Sequence, residues 1–331
     1  MKLVCAPMAT LSHEAFRVSV EEFGDCDEYF TEMINASSLL NMGPFEKYYL
    51  MSGPCPQKIV WQLTGASADK LAEAAEIVCE NGGTGVDLNM GCSAPQIYKT
   101  GAGIAWMLKP LDETARAVMQ VKKALERSGA RMQRHFRLSI KCRLGGEDFT
   151  EQGFMDFIDT LVENGAELIT LHARTIKEKY RGLPRHEFAQ KILERHGGKI
   201  KVYVNGCVKD TASARLVMDK APDADGIMIA RAAAERPWIF AQIKKELDGR
   251  PEKITVDRMN TALRFIDNVE KFQPVEFHRT RIQRFFSYYC AQFKFGHYFQ
   301  TRMLNYKSND ETRSEILSYF EKQPEERYIE L

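Results

Sequence analysis

The sequence has no CxxC pair among its eight cysteines, no run of eighteen uncharged apolar residues, no low-complexity tract and almost no net charge. Each absence excludes something. Cysteines scattered as Cys5, Cys26, Cys55, Cys79, Cys92, Cys142, Cys207 and Cys290 do not make a zinc ribbon or an iron–sulfur site, so no metal is expected. Most of these thiols should be reduced and buried as small apolar residues. Without a long apolar run there is no membrane-spanning helix. The opening MKLVCAPMATL is too short in its apolar part for a signal segment, so a cytoplasmic soluble protein is expected, with no obligate protein partner indicated. The 46 Lys and Arg balance 45 Asp and Glu to a net charge of +1, which as a total argues against a nucleic-acid partner.

What is present is a repeated strand–helix rhythm. Short apolar or β-branched runs occur at Leu3–Ala6, Glu28–Phe30, Ile59–Leu63, Gly85–Leu88, Arg137–Lys141, Leu168–Leu171, Lys201–Val204 and Gly226–Ala230, and alternation with helical stretches implies a parallel sheet. Their starts lie 25 to 33 residues apart, except for a fourth interval of 52; the loop after the fourth strand therefore carries an insertion, where function is expected to lodge. Between strands, Ser67–Cys79 and Asp112–Glu126 show apolar spacing of three and four after a capping Ser or Asp. Eight such units ending near residue 247 match a (β/α)8 TIM barrel. A doubly wound dinucleotide fold would need a glycine-rich turn after the first strand, where the chain reads APMAT. The link DGRPE at 248–252 marks a boundary: residues 1–247 form the barrel, and 255–331, with no strand pattern, a smaller all-α helical domain.

In such barrels the chemistry sits at the C-terminal strand ends. Polar residues gather there: Pro7, Met8 and Ala9 after the first strand, Gln62 in the third, Asn89 and Cys92 after the fourth, Lys141 and Arg143 after the fifth, His172 and Arg174 after the sixth, Asn205 and Gly206 after the seventh, and Ala230 and Arg231 after the eighth. The last two turns stand where barrels commonly hold a phosphate on backbone N–H groups. Lys141 suits a Schiff base, an ammonium against a flavin's electron-rich edge, or a plain ion pair. Gln62 and His172 suit the carbonyl and ring-nitrogen edge of a heterocycle. Cys92 lies in the long fourth loop, followed by Pro95, Gly101 and Gly103, a segment expected to be mobile and to close over a substrate.

The motifs APM, WQLTGAS, GVDLNMGCSAPQIYKTGAGIAWML, IKCRLG, ITLHART, VNGCVKD and GIMIARAAAERPWIF, in this order, make the chain resemble the flavin-dependent tRNA-dihydrouridine synthases. The resemblance implies FMN reduced by NADPH, hydride transfer to C6 of a tRNA uracil, and Cys92 as the donor of a proton to C5. It implies that Pro7, Met8, Ala9, Gln62, Lys141, His172, Asn205, Gly206, Cys207, Ala230 and Arg231 line the FMN. An ordinary thiol, with a pKa of about 8.5, is protonated at neutral pH yet close enough to it to act as an acid. Two positions depart from the family pattern: Ser93 replaces the usual Pro after the cysteine, and Ala230 the usual Gly before Arg231.

The charge balance also conceals an asymmetry. Residues 278–309 hold Arg279, Arg281, Arg284, Lys294, Arg302 and Lys307 with no Asp or Glu, leaving −5 on the rest, and the same stretch carries nine Phe and Tyr. Cations for phosphates and aromatics for splayed bases suit folded RNA, although more than half of these rings are expected to form the core of a helical bundle. Asn89, Arg174, Arg279, Arg281 and Arg284 are the candidate tRNA contacts. Competing readings are an FMN barrel reducing a free pyrimidine, like dihydroorotate dehydrogenase, a Schiff-base aldolase using Lys141, and an RNA chaperone.

Overall fold

A computed structural model describes residues 1–179 and 181–331. Nine parallel strands run β1 (Lys2–Cys5), β2 (Glu28–Phe30), β3 (Ile34–Asn35), β4 (Ile59–Thr64), β5 (Gly85–Met90), β6 (Arg137–Cys142), β7 (Leu168–His172), β8 (Lys201–Asn205) and β9 (Gly226–Ile229). β1 pairs with both β2 and β9, and β2 also pairs with β4, so eight strands close a barrel. The two-residue β3 pairs only with β4. The expected eight strands are all present, within two residues at each end.

Amphipathic helices cover the outside. Ser67 caps the helix Ala68–Glu80, its side chain accepting from the Lys70 N–H, as its position predicts. The helix expected from Asp112 starts one residue earlier, at Leu111, with Pro110 rather than an Asp at its cap, and runs to Met132. Asp112 instead places negative charge in the first turn. The long fourth interval holds two short helical turns, Pro95–Tyr98 and Gly103–Leu108, ahead of that helix.

Inside the barrel, Val4, Ala6, Phe30, Val60, Leu168, Tyr203 and Met228 form an apolar cluster. Below it, the Glu28 carboxylate closes the floor by accepting from Arg137 at 2.9 and 2.7 Å and from Lys2 at 2.7 Å. Five of the eight cysteines are buried and all are free. No helix among the described residues is long and apolar enough to cross a membrane.

Beyond residue 254 the chain forms the helices Arg258–Phe272, Val275–Tyr289, Gly296–Leu304 and Asn309–Lys322. It also forms a strand pair that the sequence reading lacks: β10 (Thr255–Asp257) runs antiparallel to β11 (Tyr328–Glu330). Three-residue strands are too short to show alternation, and their partners lie more than seventy residues apart. Of the nine aromatics in 278–309, Phe285, Phe286, Tyr289, Phe293, Phe299 and Tyr306 are buried, while Phe295 and Tyr298 are exposed. Most are core, as expected. Phe285 stacks on Phe265 at 3.8 Å and meets Phe16 of the barrel helix Glu14–Glu21 at 6.4 Å, so one continuous core joins both parts.

Candidate active site

Side chains alternate faces along a strand, so positions two residues beyond the inner apolar cluster face the barrel mouth. Gln62, Thr170, Asn205 and Ala230 follow Val60, Leu168, Tyr203 and Met228 in this way. Register places Asp87 opposite Gln62 and Ser139, and Lys141 opposite Asn89 and Thr170. His172 lies opposite Asn205.

A directed hydrogen-bond chain occupies this layer. The Asp87 carboxylate accepts from Ser139 Oγ at 2.8 Å and from Gln62 Nε2 at 2.7 Å; Gln62 Oε1 accepts from Asn89 Nδ2 at 2.9 Å; and Asn89 Oδ1 accepts from the backbone N–H of Cys92 at 2.9 Å. Cys92, half-buried, is also held from its other side, its carbonyl accepting from the Ile104 N–H at 3.0 Å. Gly103, at φ +61, allows this approach, since a Cβ there would lie 2.4 Å from the Cys92 carbonyl oxygen. The glycine that the sequence marks for mobility thus anchors the loop.

The electrostatics of the mouth are cationic. Burial lowers the Lys141 ammonium to about 8, helped by nearby Arg143 and opposed by Asp87. Burial also pushes the Asp87 carboxyl up to about 6, against the hydrogen bonds from Gln62 and Ser139 and the charges of Lys141 and Arg137. Burial together with Lys141, Arg143 and Arg174 drives His172 down to about 2, so its ring is neutral. Arg174 Nη1 lies 2.9 Å from His172 Nε2; because a guanidinium only donates, Nε2 accepts and the ring proton resides on Nδ1.

The remaining sequence candidates are distributed around the rim. Pro7, Met8 and Ala9 form the exit loop of β1, with the Met8 N–H donating to Ser12 Oγ at 2.7 Å. Gly206 and Cys207 both take positive φ, +123 and +58, after β8, and a Cβ on Gly206 would lie 2.9 Å from His172 Cδ2. Asn205 Nδ2 donates to the Met228 carbonyl at 2.9 Å. Ala230 has φ −112, so alanine is accommodated without left-handed strain. Arg231, exposed, opens the short helix Arg231–Glu235.

Two of the candidate tRNA contacts lie in the interior. Arg174 is buried beside His172, its Nη2 donating to the Gly182 carbonyl at 2.5 Å and to Cys207 Sγ at 3.1 Å. Arg281 is also interior, 3% exposed and 2.6 Å from the buried carboxylate of Glu32. Helical periodicity explains this, since Arg281 shares the inward face of its helix with Phe285. Arg279 and Arg284 are exposed, and Arg284 Nε donates to Thr10 Oγ1 at 3.0 Å beside the β1 exit loop.

Three residues escaped sequence reasoning: Asp87, Ser139 and Thr170, whose buried Oγ1 has no hydrogen-bond partner among the described residues. For Asp87 a signal existed. It precedes Asn89 by two in a strand, and therefore shares its face.

Fold and site together define an enzyme of the parallel-barrel class, with a cationic polar mouth and a cysteine loop hydrogen-bonded to its polar layer. The chain belongs to the dihydrouridine synthase family, whose model, Dihydrouridine synthase (Dus), matches residues 4–324. A protein of Aquifex aeolicus (strain VF5) named probable tRNA-dihydrouridine synthase is 29% identical over 252 residues, covering 75% of this chain and 74% of that one. The tRNA-dihydrouridine synthase B of Escherichia coli (strain K12) is 28% identical over 248 residues, covering 75% and 72%.

Proposed function

We propose that this chain reduces a uridine of tRNA to 5,6-dihydrouridine, using FMN that is reduced by NADPH. The observation that carries the reading is the placement of Cys92: its backbone is hydrogen-bonded on both sides, at the edge of a polar layer rich in donors. That layer fits a flavin. Gln62 keeps one amide N–H beyond the one given to Asp87, the Thr170 hydroxyl has no partner among the described residues, and Lys141 supplies an ammonium, a donor set matching carbonyl oxygens and ring nitrogens. Gly206, where a side chain would collide with His172, leaves backbone open for the phosphate, with Ala230 and Arg231 beside it. Pro7, Met8, Ala9, Asn205 and Cys207 complete the lining.

Bound FMN, held by the residues above, would supply the hydride that C6 of the uracil receives. The Cys92 thiol then gives its proton to C5. Lys141 holds positive charge where negative charge develops, and neutral His172 donates through Nδ1 without competing as an acid. Asn89 retains one amide N–H for a uracil carbonyl. Arg279 and Arg284 take phosphates of the RNA body while the target base leaves its stack. The helical part from residue 255 thus serves as the RNA-binding domain.

Turnover on tRNA lacking dihydrouridine, compared with free uridine, tests the reading. Reduction of the tRNA and little of the nucleoside is expected; preferential reduction of the free nucleoside would make the chain a small-molecule reductase.

A further inference from the structure

The hydrogen bonds beneath the mouth run in one direction. An ionised carboxylate can only accept, so Asp87 draws Nε2 of Gln62 toward itself and leaves Oε1 facing Asn89. Asn89 must then present Nδ2 to Gln62, which turns its Oδ1 toward the N–H groups of Cys92, at 2.9 Å, and Gly91, at 3.3 Å. Reversing either amide sets two donors or two acceptors face to face. Asp87 is fully buried and its hydrogen-bond partners, Gln62 and Ser139, are both neutral. A buried carboxylate without a contact ion pair is unfavourable for stability, and what this one supplies is polarity for the chain of amides above it.

We propose that Asp87 is a positioning residue for the Cys92 thiol: acting through Gln62 and Asn89, it fixes the backbone of Gly91 and Cys92 and so sets where the thiol meets the substrate. The inference rests on the reading of Cys92 as the proton donor. It gives the interior of β5 a task in the chemistry, although Asp87 itself touches neither substrate nor thiol.

The test is a double-mutant cycle on the full-length protein without added cofactor. Amide hydrogen exchange at Gly91 and Cys92, and site-resolved alkylation of Cys92 by iodoacetamide, are measured in wild type, Asp87→Ala, Asn89→Ala and the double variant. Loss of one such hydrogen bond should speed exchange about fivefold. Because both residues act through one chain, the double variant should exchange no faster than Asn89→Ala alone. In turnover on tRNA, kcat of Asp87→Ala should fall about tenfold to a hundredfold, with KM for tRNA nearly unchanged. Asp87→Asn can still accept from Gln62 and should recover most of the loss. Should Asp87→Ala fail to fold, Gln62→Met breaks the chain at its middle and should match Asn89→Ala. Effects of Asp87→Ala and Asn89→Ala that multiply, or exchange and alkylation at the wild-type rate in Asp87→Ala, would overturn the proposal. A wild-type protein inactive on tRNA would instead remove the functional reading, while the exchange cycle would still decide the coupling.

Discussion

Replacing Arg281 by alanine removes one half of a buried ion pair and leaves the Glu32 carboxylate facing Thr10 N–H, its other donor at 2.5 Å. The side chains of Arg281 and Glu32 are 3% and 6% exposed, so solvent screens little of the loss. Breaking such a pair typically costs about 3–5 kcal/mol. Glu32 has an escape, because burial already raises its pKa even with Arg281 beside it; in the variant it takes up a proton, which holds the cost to about 3 kcal/mol. A carboxyl whose folded pKa is raised contributes stability below its unfolded pKa and loses it as pH rises through the folded value. The deficit of Arg281→Ala should therefore be larger at pH 7 than at pH 4. Urea denaturation at the two pH values measures this, with the m-value unchanged. The same variant should bind tRNA with the wild-type salt dependence, whereas Arg279→Ala and Arg284→Ala, both exposed, should each lower the salt slope by about 1 and change stability by less than about 0.5 kcal/mol. An Arg281→Ala protein of wild-type stability with a reduced salt slope would instead place Arg281 against the RNA.

Other outcomes follow from the mouth. Asp87, raised to about 6 by burial, loses stabilisation as pH rises through 6, so Asp87→Asn should gain on wild type by up to about 3 kcal/mol between pH 4 and pH 7; denaturation curves check this, with nearby Lys141 and Arg137 staying protonated across that range. Gly103→Ala introduces a Cβ 2.4 Å from the Cys92 carbonyl oxygen at φ +61, and should destabilise by about 1–3 kcal/mol and cut dihydrouridine formation; an unchanged melting temperature and activity would contradict the anchoring role. Because His172 lies near pKa 2, its NMR ring signals should not titrate between pH 4 and 8.

The barrel was legible because each strand announces itself locally, by β-branched composition and by the interval to its neighbour. The strand pair β10 and β11 was not, since its two short halves meet only through the tertiary fold. Gln62, Lys141 and His172 could be picked out because strand ends converge in this architecture. Arg174 and Arg281 could not be judged by charge: one lies two residues past its strand and is buried beside His172, the other sits on the inward stripe of its helix. Asp87 went unnoticed because it lies within the strand, where apolar residues are expected, rather than past its end. Which amide faces which is a property of the assembled layer alone.

In the proposed reaction Cys92 protonates a tRNA uridine reduced at this mouth. The most direct measurement incubates tRNA lacking dihydrouridine with NADPH and either wild-type protein or Cys92→Ala, then digests the RNA and quantifies dihydrouridine by mass spectrometry alongside the visible flavin spectrum. Dihydrouridine is expected with wild type, and retained yellow flavin with little dihydrouridine in Cys92→Ala. Dihydrouridine formed at the wild-type rate by Cys92→Ala, or a variant that folds but loses its flavin, would contradict it.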